Sequence, residues 1–164
     1  MTAESIDPSA FERMQLQFLR PAKPDDAPGV AACVCQAYAG YIERIGKQPG
    51  PMLEDYAEVI RQFHVHVAEL DRRIIGAIVL KITSDGFYVD NVAVLPSVKG
   101  QGVGRLLLQF AETEARRQSY DSICLATHEL MTENRALYSR IGYVEYDHRV
   151  VNGYPRVYFR KALS

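Results

Sequence analysis

The sequence predicts an α+β fold: a central mixed, mostly antiparallel sheet of six to seven strands flanked by about four helices. Three observations carry that expectation. Short apolar runs rich in Val, Ile, Phe and Tyr recur with tight-turn signals between them. Stretches of helical period separate some of these runs. One run, Phe87 to Leu95, passes through a glycine-rich loop directly into a helix, which adds a single parallel β-α-β unit to otherwise antiparallel hairpins.

The elements follow in order. Residues 1–13 read as an N-terminal extension and 14–164 as one domain. Met14 to Arg20 alternates as a first strand, closed by Pro21 and Pro24. Asp25 or Asp26 caps the next helix, with Pro28 in its first turn, where a missing N–H costs little. Val30, Ala31, Val34, Cys35, Tyr38, Ile42 and Ile45 trace one face of that helix. The run Gly46 to Pro51 breaks it, and Leu53, Tyr56, Ala57, Ile60 and Phe63 resume a helical period. Val65 to Leu70 and Ile74 to Thr83 form a hairpin around Asp71-Arg72-Arg73. Ser84-Asp85-Gly86 turns the chain into the strand Phe87 to Leu95, which Pro96 ends. Val103, Leu106, Leu107, Phe110, Ala111 and Ala115 then recur at helical spacing. Ser122 to Thr127 is a buried strand and Glu133 to Arg140 a short helix behind an N-cap at Thr132. Tyr143 to Val150 and Tyr154 to Lys161 form a last hairpin around Asn152-Gly153.

Composition narrows the function classes. The chain has 164 residues, 48% of them hydrophobic, enough for one core. Nineteen Lys and Arg against 20 Asp and Glu give a net charge of −1, which does not favour nucleic acid. No apolar run approaches the roughly 18 residues of a membrane span, and the start of the chain lacks the basic and apolar blocks of a signal peptide. Cys33, Cys35 and Cys124 are odd in number and lack C-x-x-C spacing, so they read as buried free thiols of a cytoplasmic protein with no metal site. His64 and His66 lack the further ligands a metal needs.

The loop Lys99-Gly100-Gln101-Gly102-Val103-Gly104-Arg105 points to anion binding. Its glycines let backbone approach a ligand closely, and the helix start behind it offers unpaired N–H groups at the positive end of a dipole. Lys99 and Arg105 add full charges. The spacing fits neither the Rossmann fingerprint, because Leu107 stands where a third glycine would fall, nor a Walker loop, because Gly104 precedes Arg105-Leu106. It resembles instead the acyl-CoA-binding motif Q/R-x-x-G-x-G/A of the GNAT superfamily of N-acetyltransferases. Gly102 and Gly104 match its glycines, and Lys99 replaces the usual Gln or Arg. The element order is also that of the superfamily, over residues 14–162. The segment Ala126 to Tyr146 adds Asn134, Tyr138, Gly142 and Tyr143, which resemble a second pattern of the same family.

The resemblance implies acetyl-CoA as co-substrate, held by Lys99 to Arg105 and by the backbone of Val92, Ala93 and Val94 on a strand splayed from its neighbour. It also implies that Tyr138 lies beside the thioester sulfur and Asn134 near the pantetheine or its phosphate end. The chemistry suits a tyrosine. A neutral amine attacks the acetyl carbonyl, and coenzyme A leaves as a thiolate that a phenol of pKa about 10 can protonate. Asp90, two residues from Val92 by strand period, is a candidate base, ahead of His128, Glu129 and Glu133. The acceptor is expected between the first helices and the last hairpin, among Tyr38, Tyr41, Ile45, Met52, Tyr56, Tyr146, His148, Tyr154 and Arg156. Glu43, Glu54 and Asp55 hint at a cationic acceptor. The reading is therefore an acetyl-CoA-dependent N-acetyltransferase acting on a small-molecule or peptide amine in a ternary complex. A non-catalytic acyl-CoA sensor on the same fold and a nucleotide-binding module are the alternatives. The last strands offer an edge for a homodimer.

Overall fold

The computed structural model describes residues 18–164, so the expected extension and the start of the expected first strand lie outside the described residues. Among the described residues seven strands form one sheet: β1 (Leu19–Pro21), β2 (His64–Leu70), β3 (Arg73–Thr83), β4 (Gly86–Val94), β5 (Ser122–His128), β6 (Val144–Val151) and β7 (Tyr154–Ala162). Their spatial order is β1-β2-β3-β4-β5-β7-β6. Every neighbouring pair is antiparallel except β4 and β5. Four helices pack against the sheet: α1 (Ala27–Tyr38), α2 (Tyr56–Gln62), α3 (Val103–Arg117) and α4 (Thr132–Arg140). The α+β expectation therefore holds, including its one parallel unit.

Local chemistry explains most boundaries. Pro21 sits within β1 rather than after it, because β1 is an edge strand where a missing donor is tolerated. The first helix does not run on to Ile45. It passes through a 3-10 turn at Ala39–Tyr41 into a single α-turn, Ile42–Ile45, which Gly46 ends at φ +85°. Asp55 caps α2, its carboxylate accepting from the amides of Ala57 and Glu58 at 3.1 and 3.4 Å. Thr132 is the first residue of α4 and not its cap, which is Met131. The turns Asp71-Arg72 and Asn152-Gly153 have positive φ throughout, as two-residue hairpin turns require.

Helices α1 and α2 cover one face of the sheet and α3 the other. Tyr38 of α1 bonds the side chain of Asn91, which faces that side, while Val94 of the same strand touches Gly104 on α3. Val30, Val34, Ile78, Leu107, Ile123 and Phe159 are among the fully buried core residues. Cys33 and Cys124 are buried free thiols as expected, but Cys35 is exposed: it lies one residue off the buried stripe of α1. Among the described residues no helix is long and apolar enough to cross a membrane.

Helix α3 can approach β3 only because Gly76 has no side chain. A Cβ there would stand 3.0 Å from Val103 Cγ1, 3.1 Å from Leu107 Cδ1 and 3.3 Å from the Ala93 carbonyl. Gly76→Ala is expected to lower unfolding stability by about 1–3 kcal/mol through overpacking. Urea denaturation checks this, and an unchanged midpoint would show that α3 can shift without cost.

Candidate active site

The site begins with one extra residue in β4. Val79 of β3 pairs with Asn91, but Leu80 pairs with Val89, so Asp90 is a bulge. Neighbours on β3 point to opposite faces, so the bulge reverses the alternation of β4. Phe87 and Val89 face α3, whereas Asn91 faces α1 and α2. Asp90 takes the α1 and α2 side too, where it pairs with Lys81 at 3.2 Å, and the Lys81 ammonium rests 4.2 Å from the Phe63 ring centre. The expectation that Asp90 shares a face with Val92 and Val94 therefore fails, because the bulge breaks the period on which it rested.

The bulge also parts the strands. β4 pairs with β5 only at Tyr88–Cys124 and Val89–Leu125. Beyond Val89 the strands diverge, and the outward backbone of β4 faces the gap. The Leu95 amide bonds the Ile75 carbonyl of β3 at 2.9 Å. By alternation the Ala93 amide also turns to β3, while those of Val92 and Val94 turn to the gap. The Val92 carbonyl confirms this direction by accepting from the Tyr38 hydroxyl at 3.2 Å.

A cavity of about 610 Å³ opens along this divergence, with walls from both faces of the sheet. Tyr38, Tyr56, Tyr88, Asp90 and Asn91 line it from the α1 and α2 side, and Met131, Asn134 and Tyr138 from the α4 side. Tyr138 is buried against Tyr143 and Phe159, with ring centres 5.9 and 5.8 Å away. Burial holds its phenol above the usual tyrosine value, with a smaller push from Tyr41, so it stays protonated. Its hydroxyl has no hydrogen-bond partner among the described residues. Asn134 makes only long contacts, 3.5 Å to Thr127 Oγ1 and 3.6 Å to Met131 Sδ.

Asn91 is the site residue that sequence reasoning missed. It is buried, accepts from the Tyr38 hydroxyl at 2.8 Å and donates to the Tyr56 hydroxyl at 3.1 Å. Tyr56 in turn donates to the Pro51 carbonyl at 2.6 Å. This chain ties β4 to α1, α2 and the loop before α2, satisfying every buried polar group on the way. His128 is buried on the cavity wall, where its Nδ1 accepts from the Leu130 amide at 3.1 Å, which leaves the proton of the neutral ring on Nε2. Burial lowers its pKa, and the nearby cations of Lys47 and Arg156 lower it further against Glu129.

Of the expected acceptor residues, Tyr38, Tyr56, Tyr154 and Arg156 line the cavity. Tyr41, Ile45, Met52, Tyr146 and His148 do not. Tyr41 stands behind Tyr38, with ring centres 6.4 Å apart, and Tyr146 packs beside Tyr158 under Arg160.

The glycine loop follows the same strand: a Cβ on Gly104 would lie 3.6 Å from Val94 Cγ2, two residues beyond Val92 on the cavity wall. Gly100 and Gly102 have φ of +82° and +91°, and Gly102 is the cap residue of α3. The amides of Gly102, Val103, Gly104 and Arg105 have no backbone acceptor among the described residues, and the first closed turn is Leu106 N–H to Gly102 C=O at 2.9 Å. The side chains of Lys99, Gln101 and Arg105 are exposed, and neither cation pairs with a carboxylate among the described residues.

Comparison with known proteins agrees with this geometry. A model of the family described as an acetyltransferase (GNAT) domain matches residues 61–145. No curated protein matches the chain. Among solved structures, PaiA N-acetyltransferase from Thermoplasma acidophilum, in complex with coenzyme A, has 16% identity and a TM-score of 0.73 over 88% of this chain and 97% of its own. A GNAT family acetyltransferase from Elizabethkingia anophelis with acetyl-CoA bound has 19% identity and a TM-score of 0.67, over 88% and 97%. The ribosomal-protein-S18-alanine N-acetyltransferase of Escherichia coli has 16% identity and a TM-score of 0.70, over 89% and 93%. At such identities these structures speak for the fold alone. The family match covers just over half of the sequence, from the end of α2 to the start of β6, and so takes in the bulged strand, the glycine loop and the tyrosine helix: the chain belongs to the GNAT acetyltransferase family.

Proposed function

We propose that this protein transfers the acetyl group of acetyl-CoA directly to a primary amine in a ternary complex. The observation that carries the reading is the opening between β4 and β5, with the Val92 and Val94 amides on one lip and Tyr138 on the wall.

The glycine loop suits a diphosphate. Four amides lack backbone partners, two cations stand at the rim, and a Cβ built on Gly100 or Gly102 would meet nothing within 4 Å. Acetyl-CoA supplies an activated thioester acetyl group. The Val92 and Val94 amides would pair with its amides and carbonyl as an added strand does, and donate to the carbonyl oxygen as charge grows there. Tyr138 would hold a proton for the sulfur, and Asn134 would contact the pantetheine arm. Asp90, paired with Lys81, would accept the proton of the incoming amine through water.

Three outcomes test this. Tyr138→Phe should leave acetyl-CoA binding within about threefold by calorimetry while slowing thiol release on the order of ten- to a thousandfold. Equal rates would remove Tyr138 as the acid and favour a sensor. Because burial raises the Tyr138 pKa, the phenol keeps its proton as pH climbs. The pH profile of kcat/KM should therefore rise as the amine deprotonates and show no falling limb below about pH 10. A fall near pH 8 that Tyr138→Phe abolishes would contradict this. Gly102→Ala places a Cβ at φ +91° and should weaken acetyl-CoA binding about tenfold, corresponding to a strain of about 1–2 kcal/mol. Unchanged affinity would place the diphosphate elsewhere.

A further inference from the structure

The charges on the cavity wall point to the kind of amine it takes, an inference that rests on the acetyltransferase reading above. Five ionic side chains line the cavity besides His128: Lys47, Lys81 and Arg156 against Glu54 and Asp90. Lys81 and Asp90 neutralise each other at 3.2 Å. The Arg156 side chain forms no hydrogen bond or ion pair with any described residue. Among the described residues Lys47 finds only the Gly153 carbonyl at 3.3 Å and the face of Tyr154, 3.9 Å from the ring centre.

These two cations converge. Arg156 is the register partner of His128 across β5 and β7, so the two side chains leave the sheet on the same face. That face is the α1 and α2 side, and the guanidinium reaches the loop before α2: a Cβ on Gly50 would lie 3.5 Å from Arg156 Nη2. Lys47 comes from the same loop, which Tyr154 holds down by donating to the Gln48 carbonyl at 2.6 Å. With Nδ1 occupied, His128 offers Nε2–H as one more donor. A guanidinium facing a partly enclosed cavity without a partner is costly, and an anionic ligand would offset that cost.

We propose that the acceptor is an amine that carries a carboxylate, of the α-amino acid class, whose carboxylate is held by Arg156 with Lys47 and His128 while its amine points to the opening between β4 and β5. This reverses the cationic acceptor suggested by Glu43, Glu54 and Asp55. Only Glu54 of those three lines the cavity, whose wall also carries Lys47 and Arg156, neither of which pairs with a carboxylate among the described residues.

The test pairs α-amino acids (small, aromatic and acidic) with their own carboxamides, reading thiol release from acetyl-CoA per neutral amine. Wild type should favour the carboxylate member roughly ten- to a hundredfold in kcat/KM, since polar groups left unpaired penalise the neutral analogue. Arg156→Gln should bring that ratio close to one, mainly through KM. Arg156→Lys should restore part of it, which a packing role would not explain. Calorimetry with the N-acetylated amino acids and N-acetylated carboxamides gives a readout independent of turnover, with the same preference and the same loss in Arg156→Gln. Equal turnover of both members by wild type overturns the acceptor class and leaves the acetyltransferase standing. Carboxylate-dependent binding with no transfer to any amine keeps the anion site and overturns the transferase. Neither transfer nor carboxylate-dependent binding overturns both.

Discussion

One residue too many in β4 organises this molecule. Without the bulge at Asp90, β4 would continue beside β5 and the sheet would close. With it, pairing stops at Val89–Leu125, the backbone of Val92 and Val94 loses its neighbour, and the side chains beyond change faces. An open strand edge inside a sheet is costly, because each unpaired amide needs a partner or solvent. Here the edge lines a cavity rather than the apolar core, and its one occupied acceptor, the Val92 carbonyl, is satisfied by Tyr38.

The bulge survives because its surroundings hold it. Asn91 is anchored by two tyrosines from two helices, and Asp90 by Lys81 on the adjacent strand. Removing Asn91 would cut the side-chain link between Tyr38 and Tyr56, leaving each hydroxyl only its carbonyl partner, at a cost that falls on both helices together. On the other face, Gly76 lets α3 sit close under β3 and β4, which fixes the helix start carrying the unpaired amides of the glycine loop. The two halves of the site are thus set by opposite devices: a polar network on the α1 and α2 side, and close apolar contact on the α3 side.

Much of this was legible in the sequence. Asn152-Gly153 and the strand–glycine–helix passage after Phe87 depend on local backbone chemistry, and they stand where the residues placed them. The bulge was not legible, because Tyr88-Val89-Asp90-Asn91-Val92 contains no glycine and keeps a plausible period-two pattern. Period two therefore puts Asp90 on the wrong face and gives no reason to single out Asn91. Position along the chain groups Tyr41 and Met52 with the acceptor residues, but the 3-10 turn after Tyr38 sets Tyr41 behind Tyr38, and Met52 is off the wall although its neighbours Pro51 and Leu53 line it. The charge balance at the mouth depends on which acids pair with which bases across strands. Such pairing is long-range information that a count of nearby acids cannot supply.

A sheet with a slot through it has two doors. The slot is bordered on one side by the tyrosine helix, and on the other by the strap of residues 46–51 pinned to the last hairpin by Tyr154. On the proposed reading the thioester and the amine enter through different doors, so neither guest must leave before the other arrives. Product escape is then unequal: the spent thiol departs through a mouth framed by backbone, while the acylated molecule must pass a strap held by two phenol hydroxyls and one ammonium. The slower exit would be the one this chain can most readily retune by exchanging a residue at the strap.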